Sequence, residues 1–170
     1  YPPEAARLPR VGGLLDANVE AIVSLAPDLV VLLECHESMR VVLGDLGTEL
    51  LVVRNETIGD ILDSITLIGS RCGVPGRAAA LRATLELRFE TIRRASAGLE
   101  RPDVLVVVSR DYLTPPTRVY AAGRGTFYDE LLEAAGGRNV LTAEAPAYPE
   151  LSLEGLLRLD PRAVSYTHLT

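Results

Sequence analysis

Apolar positions along the chain alternate between two rhythms. Continuous apolar runs at Asp28–Leu33, Leu50–Val53 and Val104–Ser109 predict short buried strands, those at Asp28–Leu33 and Val104–Ser109 buried on both faces. Between them, apolar residues recur every three or four positions, which predicts helices over Asn18–Leu25, Met39–Leu46, Ile58–Ile68 and Phe127–Ala135. Val119–Ala121 and Asn139–Leu141 read as further short strands. The longest periodic stretch is Arg77–Leu99. Pro75 and Gly76 punctuate its start, Gly98 and Pro102 its end, and Leu81, Leu85, Phe89, Ile92, Ala95 and Leu99 fall on one face. Arg82–Glu86 and Glu90–Arg94 are ion pairs one turn apart on its wet side. Strands alternating with helices imply mostly parallel sheets, and the long helix reads as a spine between two lobes.

An internal repeat supports that division. Asn18–Val30 (NVEAIVSLAPDLV) and Ser152–Val164 (SLEGLLRLDPRAV) share one plan. Each has a polar cap, an apolar residue, a glutamate, a short amphipathic helix ending in Leu, one residue, Pro, and then a strand. The glutamates are Glu20 and Glu154. Shared βα architecture alone would give the helix and the strand; the same acidic residue in the same turn of both copies points to a shared task.

Composition narrows the classes. The 170 residues allow one large or two small domains, and 48% hydrophobic residues are enough for a core. A net charge of −6, with no basic stripe, argues against nucleic acid. All 17 basic residues are Arg, which together with abundant Ala, Gly and Pro reads as coding bias. No run reaches the ~18 apolar residues of a membrane span. There is no signal peptide, but the chain opens at Tyr1 without Met, and further chain is expected before it. At the other end, Ser165–Thr170 looks like a translated sequencing adapter and is set apart as a non-native tail, His168 included. Cys35 and Cys72 fit no metal spacing; two thiols and one disulfide both remain open.

No catalytic set assembles, so an enzyme is not expected. Ligands of open α/β sheets sit beyond the C-terminal ends of strands, which singles out Glu34–Glu37 and Arg110–Tyr112. His36 is either a cleft ligand or a surface histidine. Arg110 and Arg124 could meet an anionic ligand, and Tyr112 and Tyr148 could stack on a flat one; for each the alternative is a solvated loop residue. Gly123-Arg124-Gly125 opens a helix like a phosphate-cradling turn, although a purely structural turn is the stronger reading.

Four stretches, YPPEAARLPRVGG, NVEAIVSLAPDLVVL, YAAGRGTFYDELLEAAGGRNV and AYPELSLEGLLRLDP, resemble the class III substrate-binding proteins of ABC importers. These are the helical-backbone receptors for cobalamin, ferric siderophores and haem. The resemblance implies an α/β fold of two Rossmann-like lobes with mostly parallel sheets joined by one long backbone helix, the second lobe truncated. Residues 1–76 would form the first lobe, 77–100 the helix and 101–164 the second lobe. It also implies a metal chelate as ligand rather than a resident cofactor, held by His36, Arg110, Tyr112, Arg124 and Tyr148 in a cleft. Export to the periplasm, or a lipid-anchored form on the outer face of the cytoplasmic membrane, is implied as well. Glu20 and Glu154 match the glutamates that dock on arginines of the permease, and the partners would be a permease dimer with its ATPase, served by a monomeric receptor. The absence of Trp, together with Leu14 and Leu33 where cobalamin receptors can place aromatics, weakens cobalamin and leaves siderophore or haem open. A Rossmann-like nucleotide-binding enzyme domain is the competing class; it lacks its glycine fingerprint here. A structural or adhesive surface protein would have no use for the paired glutamates.

Overall fold

The computed structural model describes residues 3–13, 17–111 and 118–166. It divides into two compact units, Tyr1–Val53 and Arg54–Thr170. The expected first lobe, 1–76, extends past this division, because residues 54–76 pack within the C-terminal unit.

The N-terminal unit opens with a 3-10 turn at Pro3–Arg7 and continues with α1 (Val19–Ser24), β1 (Val30–Leu33), α2 (Glu37–Asp45) and β2 (Leu50–Val53). β1 and β2 pair in parallel from Val30↔Leu50 to Leu33↔Val53, with α2 as their crossover. Ile22 of α1 and Leu43 of α2 gather with Leu32 in one core cluster. One face of the pair is thereby covered. The sequence predicts burial on both faces of β1, but Val31 is 42% exposed.

The C-terminal unit holds α3 (Ile58–Arg71), α4 (Pro75–Ser96), β3 (Asp103–Arg110), β4 (Arg118–Ala121), α5 (Phe127–Ala134), β5 (Arg138–Asn139), β6 (Glu150–Ser152), α6 (Leu153–Leu159) and β7 (Ala163–Tyr166). β3 is its centre. Val104 to Val107 are all buried, and Leu105 and Val107 anchor a cluster with Ala121 and Leu141. β5 and β7 run parallel to β3, whereas β3–β4 and β4–β6 are antiparallel. Pairing is mostly parallel, as expected, and the antiparallel β3–β4 pair has a simple reason. Only residues 111–117 separate β3 from β4, too few for a crossover. Ser165 and Tyr166, expected to lie outside the fold, complete β7 opposite Val106 and Val107.

The long helix starts at Pro75, where proline's fixed φ suits the first turn, and ends at Ser96 before Gly98 at φ +80°. Its 22 residues span about 33 Å. Its inner face is not the predicted one. Ala78 is buried and Arg82, Leu85, Phe89 and Ser96 are half-buried, while Leu81, Ile92, Ala95 and Leu99 are exposed. Neighbours set this face. Asp63 of α3 holds Arg82 Nη1 at 2.7 Å, and Ser96 donates to the Ala134 carbonyl at the end of α5. The two predicted one-turn pairs form, Arg82–Glu86 at 3.0 Å and Arg94–Glu90 at 2.8 Å.

Helices α3 and α4 meet at Gly69, where an added Cβ would land on the Ala78 methyl. Gly69→Val should therefore lower stability by about 2 kcal/mol, as overpacking of a close helix contact does. Urea denaturation reads this directly; an unchanged midpoint would show that the two helices slide apart at little cost.

Candidate functional site

The site is built around the turn that links β4 to α5. Thr126 caps α5: its hydroxyl accepts the Asp129 amide at 3.3 Å and donates to the Gly123 carbonyl at 2.9 Å. Asp129, only 5% exposed, spreads its carboxylate over two donors, the Gly125 amide and the Asn139 side-chain amide, each at 3.0 Å. Asn139 also donates to the Ala122 carbonyl at 3.0 Å and accepts the Leu141 amide at 3.1 Å. Gly125, at φ +78°, adopts a backbone conformation that residues with a Cβ reach only under strain. This network decides between the two readings of Gly123-Arg124-Gly125. The anion at the turn is the chain's own Asp129, so the turn is structural.

Gly123 in turn positions the segment at 146–149. Its amide donates to the Ala147 carbonyl at 2.7 Å, and a Cβ there would land on the Pro146 carbonyl oxygen. The Ala121 amide donates to the Pro149 carbonyl at 3.1 Å, after which β6 continues the pairing. Tyr148, 46% exposed, is thus held beside the turn. Burial pushes its hydroxyl pKa up, reinforced by Tyr128 and Glu56 nearby. Phe127 and Tyr128 stack with ring centroids 4.0 Å apart.

The other predicted residues separate from this group in instructive ways. Arg124 folds back along α5, 3.5 Å from Glu133 and 3.9 Å from Asp129, with 39% of its side chain exposed. Its charge is partly spent on its own helix. Arg110 ends β3 with its guanidinium carbon 6.0 Å from the Tyr166 ring centroid, at the outer limit of a cation–π contact. Tyr112 lies outside the described residues. His36 belongs to the N-terminal unit. It precedes α2 without capping it, and lines an apolar cavity of about 410 Å³ with Val11, Ile22, Leu32 and Met39. A cavity of about 780 Å³ in the C-terminal unit lies among α3, α4 and α5; none of the predicted ligand residues lines it.

Both repeated glutamates sit in the first turn of a helix whose cap is the predicted one. Asn18 accepts the Ala21 amide at 3.0 Å, and Ser152 accepts the Gly155 amide at 3.1 Å. Glu20 is exposed; Glu154 is 81% exposed and pairs with Arg158 one turn on at 3.2 Å. The copies agree in backbone as well. Among the described residues, Ala26 at φ 47° and Asp160 at φ 42° are the only non-glycines in the left-handed region. They occupy the same position of the repeat, directly before Pro27 and Pro161.

Asp129, Asn139, Tyr128 and Glu56 were not singled out by sequence reasoning. The Thr126-x-x-Asp129 spacing is a capping-box pattern and flags the first of them; Asn139 and Glu56 act through contacts that no local pattern announces. Cys35 and Cys72 are exposed free thiols. Among the described residues there is no group of three or more His, Cys, Asp or Glu able to hold a metal, and no helix long and apolar enough to cross a membrane.

The chain is similar to known proteins in sequence and fold. The chain is 28% identical over 166 residues to a vitamin B12-binding protein of Salmonella typhi, covering 96% of this chain and 60% of that protein. It is 27% identical over 178 residues to an uncharacterized ABC transporter substrate-binding lipoprotein of Bacillus subtilis, covering 98% and 54%. Among solved structures, a periplasmic heme-binding protein from Roseiflexus, in apo form, superposes with a TM-score of 0.83 at 26% identity, over 98% of this chain and 64% of that one. The chain thus spans between one half and two thirds of the length of each. The family model described as periplasmic binding protein matches residues 1–167, and the chain belongs to that family.

Proposed function

We propose that this chain is part of the substrate-binding protein of an ABC importer, one that captures a metal chelate and delivers it to a permease. The observation that carries the reading is the matched pair of exposed glutamates, each in the first turn of a side-chain-capped helix and each followed at the same spacing by a left-handed residue and a proline. Such carboxylates are held toward solvent and are poor candidates for ligand contacts inside a cleft. They suit a partner that reads both at once. The relatives that bind vitamin B12 and haem support a metal chelate as ligand; a ferric siderophore is a metal chelate too, though without their tetrapyrrole-type ring. All three relatives are binding proteins, and this chain is read as a receptor rather than an enzyme. It would work outside the cytoplasm, in the periplasm or anchored by lipid, with a permease dimer and its ATPase as partners.

The exposed Tyr148 ring offers a flat apolar surface, and Arg110 offers charge at the end of β3. Replacing either with Ala should weaken binding about tenfold, or 1.4 kcal/mol. Absorbance titration with cyanocobalamin, haemin and a ferric siderophore measures this and identifies the ligand in the same series. Wild-type affinity in both variants would remove these residues from the site.

A further inference from the structure

Two helix starts in the C-terminal unit cap each other. The first amide of α3, Ile58 N, donates to Glu130 Oε2 of α5 at 2.6 Å, across 72 residues of sequence. The first amide of α5, Phe127 N, donates to the carbonyl of Glu56, next to the α3 cap Thr57, at 2.6 Å. Helix starts leave their first amides without partners inside the helix, so each bond satisfies a donor that would otherwise need water. A carboxylate at the positive end of a 14-residue helix is also favourably placed. Thr57 and Asp60 already form a complete capping box on α3, which makes Glu130 an additional cap supplied from elsewhere in the fold.

The bonds lie where the aromatic group is assembled. Glu56, Tyr128 and Tyr148 are close enough for the first two to act on the Tyr148 hydroxyl. Glu56 reaches that place through its carbonyl bond to Phe127, and Tyr128 is the next residue along α5. The Tyr148 segment is tied to the same turn through Gly123. We propose that Glu130 is a positioning residue for ligand binding: by capping α3 from α5 it locks Glu56 and Tyr128 in place beside Tyr148. The proposal rests on the reading of Tyr148 as a ligand contact.

The test uses the full chain and six variants, with cyanocobalamin and haemin as probes and a spectrophotometric titration of the tyrosines alongside. Glu130→Leu removes the acceptor and should weaken probe binding about tenfold. It should also return the Tyr148 hydroxyl toward its ordinary titration, identified by comparison with a Tyr148→Phe background. Glu130→Gln keeps an acceptor oxygen and should preserve both. Thr57→Ala lowers stability at the same helix end without touching the Glu130 bond, and should leave affinity and tyrosine titration unchanged. If Glu130→Leu fails to fold, Glu130→Asp, one methylene short of reach, carries the same comparison. Wild-type affinity in Glu130→Leu, with binding lost in Tyr148→Ala, overturns the positioning role and leaves the site intact. An equal loss in Thr57→Ala reduces Glu130 to a stability residue and overturns the role as well. Wild-type affinity in Tyr148→Ala removes the site itself; the tyrosine titration of Glu130→Leu still decides whether the mutual caps hold the aromatic group.

Discussion

A full-length protein carrying Glu20→Arg and Glu154→Arg should bind its ligand like the wild type and fail to support uptake. Each glutamate is worth only a few tenths of a kcal/mol to its own helix, because both are exposed and the dipole contribution at a surface is small. Folding and capture should therefore survive the reversal. At an interface with permease arginines the outcome differs, since like charges set face to face cost several kcal/mol. The two positions will not respond equally. Glu154 already has a partner in Arg158, whereas the equivalent residue in α1 is Ser24, which cannot form the pair. Reversal at 154 then adds repulsion within α6, on the order of a few tenths of a kcal/mol. Ligand affinity in solution and transport by vesicles bearing the cognate permease and ATPase measure the two quantities separately. Normal transport would remove the docking role; lost affinity would place the glutamates at the ligand.

Asn139→Ala should be the most damaging single change to the fold around the site. The side chain is 4% exposed and makes three hydrogen bonds, to the Ala122 carbonyl, to the Asp129 carboxylate and from the Leu141 amide. Truncation strands a carboxylate oxygen, a carbonyl and an amide in a place closed to solvent. Leaving a buried group without its partner costs about 1–3 kcal/mol, more when it is charged, so a loss of roughly 3 kcal/mol or greater is expected. For a chain of this size that corresponds to a fall in Tm of roughly 6–12 °C. Thermal denaturation checks it. A fall below about 3 °C would mean that water enters and takes over the bonds.

Much of the architecture is legible in the sequence, and the exceptions share a cause. β2, the long helix and the caps at Asn18 and Ser152 arise from local patterns, as do the ion pairs of α4. β6 does not: three residues, Glu150 to Ser152, are too few for their alternation to mark a strand, and their pairing with β4 is set by partners 30 to 34 residues away. The inner face of α4 escapes periodicity because Arg82 turns inward to Asp63 while Leu81 stays in water. At the site, Tyr148 and Arg124 are recognisable as residue types, but their circumstances are not. Arg124 leans on Glu133 and Asp129 occupies the turn through contacts inside ten residues, but Asn139, which holds Asp129 from β5, lies beyond that window. The glutamates are legible because a repeat compares the chain with itself.

The left-handed residues before Pro27 and Pro161 bear on how the two copies have drifted apart. Their side chains differ, Ala in one and Asp in the other, yet both backbones hold a conformation that disfavours any Cβ by about 1–2 kcal/mol. Glycine would release that strain, but it would also enlarge the ensemble of the unfolded chain, at about 0.4–1 kcal/mol. The two effects oppose each other, so exchange with glycine at either position changes stability by at most about 1–2 kcal/mol. A history of duplication can then survive in a pair of dihedral angles after most of the residues around them have been exchanged.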